Sequence, residues 1–217
     1  MSKRAVLWDL DGTLVDSGDY HWRAWRDTMR DEGVDLTYQQ FLDSFGQKND
    51  RILTAWMGSA ATDDLIRRVG DSKEALYRQF AGTEGLAPLP GAASWVERLR
   101  QAGWRQSIAS SAPKENVRVM LDVLNLARYF DAIVSAEDVT AGKPDPQVFL
   151  AAAARLHIPP NGCVVVEDAA VGIEAAKRAG MKCVGVSSSA VLPADVFVRS
   201  LEDLDADVFE KLIADSC

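Results

Sequence analysis

The chain has 217 residues, 47% of them hydrophobic and 26% charged, so it is long and apolar enough to bury a substantial core and is not a disordered polymer. Its 32 acidic and 24 basic side chains give a net charge of -8, which argues against a nucleic-acid or anionic-membrane partner and confines any phosphate site to a local pocket. The three cysteines (Cys163, Cys183, Cys217) lack metal-ligand spacing, no window approaches the ~20 apolar residues of a membrane span, and residues 1–4 run straight into a strand without a signal segment, so a reduced, cytoplasmic and monomeric protein is expected.

The first element is the apolar run Ala5-Val6-Leu7-Trp8, followed at once by Asp9, Asp11 and Gly12. It reads as a buried strand of a parallel sheet ending at an exposed edge. Residues two apart on a strand share a face, so both carboxylates lean toward one point. Open parallel sheets bind ligands beyond the carboxyl ends of their strands, and two close like charges there call for a divalent, oxygen-seeking ion. Taken alone, Asp11-Gly12 also fits an ordinary turn.

From 17 to 85 the periodicity predicts helices and no strand: 19–30, 37–45, 49–57, 62–69 and 72–80. From Leu86 onward strands and helices alternate: helix 92–102, strand 105–109, helix 114–124, strand 132–134, helix 146–156, strand 163–166, helix 172–179 and strand 183–186, with a closing helix over 204–213. That alternation is the signature of a doubly wound, Rossmann-like parallel sheet in the α/β class. The helical block is then a small inserted domain, 17–85, within a core formed by 1–16 and 86–217. Asp16-Ser17-Gly18 and the Pro88–Pro90 segment are its two linkers.

Three further stretches carry candidate chemistry. Ser107-Ile108-Ala109 ends in Ser110 and Ser111 before Pro113, where a helix start leaves backbone N–H groups for an anion, although a plain N-cap reads the same way. Gly142-Lys143-Pro144-Asp145-Pro146 sets a single Lys in a rigid loop ahead of a helix. Cys163-Val164-Val165-Val166 is a second buried strand ending in acids, Glu167 and Asp168.

The string Asp9-x-Asp11-Gly12-Thr13-Leu14-x-Asp16-Ser17, with Ser110, Lys143 and the Glu167-Asp168 pair following in order, resembles the four signatures of the haloacid dehalogenase superfamily of phosphoryl-transfer hydrolases. The resemblance spans the whole chain. It implies Asp9 as nucleophile and Asp11 as general acid and base, with Ser110 and Lys143 holding the phosphoryl group. It also implies a Mg2+ cofactor held by Asp9, Asp11 through its backbone carbonyl, Glu167 and Asp168. Asp at position 11 points to phosphate-ester hydrolysis or phosphomutase chemistry.

The inserted helices resemble the cap of the subgroup that contains beta-phosphoglucomutase and sugar-phosphate phosphatases. His21 then matches a histidine assisting the acid-base step, and Lys73 a lysine of substrate recognition. Gly12, Thr13, Gly46, Asn49 and Ser111 complete the implied substrate contacts. Residue 49 departs from the pattern: the mutases carry an arginine there that grips the second phosphate of a bisphosphate, and an amide cannot replace a bidentate guanidinium. Lys48 and Arg51 are the neighbouring cations that could substitute. The expected activity is therefore a phosphatase on small phosphorylated metabolites, sugar phosphates in particular, with a phosphomutase as the alternative. A phospho-accepting signalling domain shares the acid pair, hydroxyl and Lys, but it is about half this length and has no helical insertion.

Overall fold

Ala5–Trp8 form β1, a strand with no exposed side chain. So uniformly apolar a strand is stable only when both its faces are covered. In the computed structural model, which describes residues 4–44 and 47–214, it is flanked on both edges as well. The other strands are β2 (Arg105–Ala109), β3 (Ala132–Val134), β4 (Cys163–Glu167), β5 (Lys182–Val186) and β6 (Val196–Val198). They form one sheet of order β3-β2-β1-β4-β5-β6, parallel at every pairing, as the alternation of elements predicts.

The side chains of β1 alternate between two apolar layers. Val6 and Trp8 pack with α5 (Ala92–Gln101), α6 (Lys114–Val123) and α9 (Val208–Ala214), while Ala5 and Leu7 pack with α7 (Gln147–Leu156) and α8 (Ala170–Arg178). Cys163 and Cys183 lie in the second layer, where burial pushes their thiols up to about 12 and about 11, so neither is a nucleophile at neutral pH. Among the described residues, no helix is long and apolar enough to cross a membrane.

Between β1 and β2 the chain forms α1 (Gly18–Asp31), α2 (Tyr38–Ser44), α3 (Asn49–Met57) and α4 (Asp63–Glu84). These helices enclose an apolar cluster of their own, built from Trp25, Met29, Phe41, Ile52, Leu53 and Val69. The segments leading in and out lie side by side: Val15 bridges to Pro88, and the Leu89 N–H donates to the Leu14 carbonyl at 2.9 Å.

Three elements differ from the sequence reading. The predicted helices 62–69 and 72–80 are one helix, α4, because Gly70-Asp71-Ser72 reads as a stop and a cap but is carried through by packing. Gly70 is buried with Val69, Lys73 and Glu74 inside the continuous helix. β6 was not predicted; it is a half-buried edge strand of three residues, too short for a period-two pattern. The last helix starts at Val208, because residues 204–207 form a bend and a turn after the 3-10 turn at Leu201–Asp203.

Candidate active site

Trp8 lies beside Val166 in register, so the next residues, Asp9 and Glu167, emerge together at the carboxyl end of the sheet. This is where the strand order reverses between β1 and β4, the place at which doubly wound sheets bind ligands. The Asp9 N–H donates to the Val166 carbonyl at 3.0 Å and fixes its backbone. Lys143 reaches the same point from the loop before α7; its Nζ, in a side chain that is almost wholly buried, donates to Asp9 Oδ1 at 2.5 Å and to Glu167 Oε1. Glu167 Oε2 accepts the Ala169 N–H at 2.9 Å, and any Cβ at Gly172 would overlap this carboxylate, so α8 can approach only with glycine there. Gly12 does the same for Asp168. It has φ +83°, and a Cβ would strike the Asp168 carboxylate, whose Oδ1 lies 3.5 Å from the Thr13 hydroxyl.

Asp9, Glu167 and Asp168 each present an oxygen within 4.8 Å of the others. Burial, reinforced by Glu167 and Asp11, pushes the Asp9 carboxyl up to about 8 even against Lys143. Burial and the neighbouring Glu167 and Asp9 raise Asp168 well above the usual carboxylate range. Lys143 shows the converse: burial alone would lower it, but Asp9 and Glu167 outweigh that and raise it, so it stays an ammonium. One buried cation is too little to hold three acids ionised, and the all-oxygen donor set suits a hard divalent ion such as Mg2+.

This charge imbalance has a measurable consequence. A carboxyl raised from 3.8 to about 8 binds its proton more tightly in the folded state, so its contribution to stability falls as pH rises through that window. Metal binding needs the deprotonated form and reverses the loss. Saturating Mg2+ is expected to raise the melting temperature more at about pH 8 than at about pH 6. A shift that is equal at both pH values, or absent, would contradict a metal site at Asp9 and Asp168.

Asp11 is held apart from this cluster. Its Oδ1 accepts the Ser17 hydroxyl at 2.5 Å and lies 3.0 Å from His21 Nε2. Lys73 Nζ sits 2.8 Å from His21 Nδ1. An ammonium has only hydrogens to offer, so Nδ1 accepts and Nε2 carries the hydrogen given to Asp11. Tyr77 stacks on the imidazole at 4.1 Å and 16°, which fixes the ring plane. Burial acts to raise the Asp11 carboxyl, but His21, the hydrogen bonds from His21 and Ser17, and Lys73 outweigh it and hold it below its ordinary range.

A cleft of about 520 Å³, open mouth included, lies between the sheet end and the inserted helices. Asp9, Asp11, Ser110 and Ser111 line one side, and His21, Asn49 and Lys73 the other. Ser110 Oγ accepts the Ala112 N–H at 3.0 Å, which leaves its own hydrogen to donate. Gly12 and Thr13 are not in this lining; they support Asp168 from behind. The Asp11 carboxylate faces Ser17 and His21 and is not one of the three clustered acids. Gly46 lies outside the described residues. Lys48 and Arg51 line a separate groove, and Lys48 Nζ donates to the Ala136 and Val139 carbonyls at 3.0 and 3.2 Å.

Glu74 and Asn116 were missed in the sequence. Glu74 lines the cleft, and its carboxylate accepts from Lys73 (2.8 Å), Asn49 (2.7 Å) and Asn116 (2.5 Å).

The sequence profile described as "Haloacid dehalogenase-like hydrolase" matches residues 6–186, which include every residue of the acidic centre and of the Asp11 network. The chain belongs to this family. It is 30% identical over 215 residues to the validoxylamine A 7'-phosphate phosphatase of Streptomyces hygroscopicus subsp. limoneus, an alignment covering 93% of this chain and 95% of that protein. It is 32% identical over 220 residues to the beta-phosphoglucomutase of Bacillus subtilis (strain 168), covering 96% of this chain and 94% of the other. Among solved structures, a beta-phosphoglucomutase from Clostridium difficile superposes with a TM-score of 0.87 at 25% identity, over 99% of this chain and 98% of that one.

Proposed function

We propose that this chain is a Mg2+-dependent phosphatase of small phosphorylated metabolites, sugar phosphates in particular, working through an aspartyl-phosphate on Asp9. The observation that carries the reading is the division of labour between two neighbouring carboxylates. Asp9 is tied to Lys143 beside Glu167 and Asp168, whereas Asp11 is tied to Ser17 and His21.

The roles follow from those partners. Asp9 attacks phosphorus in line, forming an acyl-phosphate bond as the ester P–O bond breaks, and Asp11 delivers a proton to the departing alkoxide. Water then attacks the acyl phosphate and Asp11 takes its proton. In the ligand-free protein Asp11 rests as a carboxylate, the form needed for the second step. The negative charge of an arriving phosphate raises it again, so that it can enter the first step protonated. Lys143 balances charge on the phosphoryl oxygens, and the Ser110 hydroxyl and backbone amides around Leu10 to Gly12 and at Ser111 orient them. Mg2+ at Asp9, Glu167 and Asp168, with the Asp11 carbonyl, would supply charge neutralisation at the transferring group.

We further read 17–85 as a cap on the core 1–16 and 86–217. Its apolar residues at the cleft, Trp25, Phe41 and Ile52, exclude bulk water from the reacting centre. Relatives with mutase names support a second reading, in which the same centre transfers phosphate within a sugar. Against it stand Asn49, an uncharged amide bonded to Glu74, and Lys48, whose ammonium is tied to backbone carbonyls in a separate groove; neither presents a cation in the cleft to a second phosphate. The deciding measurement follows both products from beta-glucose 1-phosphate supplied with a glucose bisphosphate primer. Inorganic phosphate is expected to appear faster than glucose 6-phosphate, and the reverse order would make the chain a mutase.

A further inference from the structure

Glu74 has no role in the chemistry above, yet it is a buried carboxylate at the wall of the catalytic cleft. It sits on α4 and faces α3 and α6. One oxygen accepts from both Lys73 and Asn49, and the other accepts from Asn116, whose own carbonyl oxygen takes a hydrogen bond from Arg78 at 2.8 Å. Burial alone would raise its carboxyl, but Lys73, His21 and these hydrogen bonds hold it below the ordinary range, so it is ionised.

The consequence concerns charge at the far end of the substrate. Among the described residues, Lys73 is the one lysine or arginine lining the cleft. Its ammonium is directed at His21 and Glu74 and lies 5.0 Å from the centre of the Trp25 ring, so its charge is matched by a carboxylate at 2.8 Å. Asn49, a neighbouring polar group on this wall, is turned to Glu74 as well. The wall opposite Asp9 therefore carries hydrogen-bonding groups and a compensated cation, but no net positive charge.

We propose that Glu74 is a specificity-determining residue: by neutralising Lys73 and orienting Asn49, it makes the far wall of the cleft receptive to an uncharged, hydroxyl-bearing body and repellent to a second phosphate. The proposal rests on the phosphatase reading above and narrows it to monophosphates. Discrimination of this kind comes from an unfavourable partner built into the site, not from extra contacts to the preferred substrate.

The test compares fructose 1-phosphate with fructose 1,6-bisphosphate. Wild-type kcat/KM is expected to favour the monophosphate by about tenfold or more, the size of effect that one unmatched charge produces. Glu74→Gln keeps the size and one acceptor oxygen, and it should lower that preference severalfold, mainly through a lower KM for the bisphosphate. A residue that merely held the helices together would slow both substrates alike and leave the ratio unmoved. Asn49→Arg keeps Glu74 and adds a cation on the same wall, so it should move the ratio in the same direction even if Glu74→Gln does not fold. Calorimetric binding of the two sugars to the Asp9→Asn protein reads the preference without turnover, so it tests Glu74 separately from the phosphatase reading. Equal or stronger wild-type binding of the bisphosphate, or a ratio unchanged in both folded variants, would overturn the assignment. Failure of wild type to release phosphate from any monoester would instead overturn the phosphatase reading.

Discussion

Asp9→Asn is expected to lower phosphate release by a factor on the order of 10⁴ or more, as removal of a covalent nucleophile does elsewhere. Asparagine is nearly isosteric, but its amide can neither attack phosphorus nor offer a charged ligand to a cation. The fold should survive: the Asp9 N–H still donates to Val166, and Lys143 keeps Glu167 as its partner. Stability should even improve without metal. The Asp9 carboxyl is raised to about 8, so its ionised form is disfavoured in the fold, and the substitution removes a term that worsens as pH rises toward that value. The metal-free variant should therefore melt at or above the wild-type temperature near about pH 8, with the gap closing toward about pH 5. Its response to Mg2+ should shrink in parallel. Residual turnover above about a tenth of wild type would contradict the nucleophile assignment, which predicts a far deeper loss.

What was legible in the sequence, and what was not, follows from the range of the interactions involved. Asp9, Glu167 and Asp168 could be found because each follows an apolar strand directly, and parallel register between β1 and β4 then brings their positions together. Ser110 and Lys143 were legible for a similar reason, each lying where a strand or rigid loop gives way to a helix. Glu74 and Asn116 carry no such local mark. Both are polar residues inside helices, and they become a pair only when α4 packs across α6, a contact that no periodicity encodes. Gly70 was misread for the complementary reason: a glycine followed by Asp and Ser is a local stop signal, but burial of Val69, Gly70, Lys73 and Glu74 carries one continuous helix through it. Thr13 stands next to Asp9 and Asp11 in the sequence, and the turn at Gly12 sends its hydroxyl toward Asp168, a contact that no local pattern encodes.

Asp11→Asn should slow hydrolysis of a sugar phosphate by about 10²–10⁴-fold, the usual contribution of a positioned acid-base group. The replacement is mild in structure, because an asparagine oxygen can still accept from Ser17 and from His21 Nε2. What it loses is the ability to gain and release a proton, and the two half-reactions feel that loss differently. Expulsion of a sugar alkoxide needs a proton, so formation of the aspartyl-phosphate should fall steeply. With p-nitrophenyl phosphate the departing phenolate is already stable, so this step should be nearly spared. Breakdown of the aspartyl-phosphate needs a base for the attacking water whichever substrate formed it, so it should slow equally for both. With the nitrophenyl ester the variant should therefore show a burst of nitrophenol followed by slow turnover, with phosphoenzyme accumulating on Asp9. With the sugar phosphate no burst should appear, because the first step is limiting there. Rapid-quench measurement of the first turnover with each substrate separates the steps, and an equal loss of the first step with both leaving groups would remove Asp11 from the role of acid.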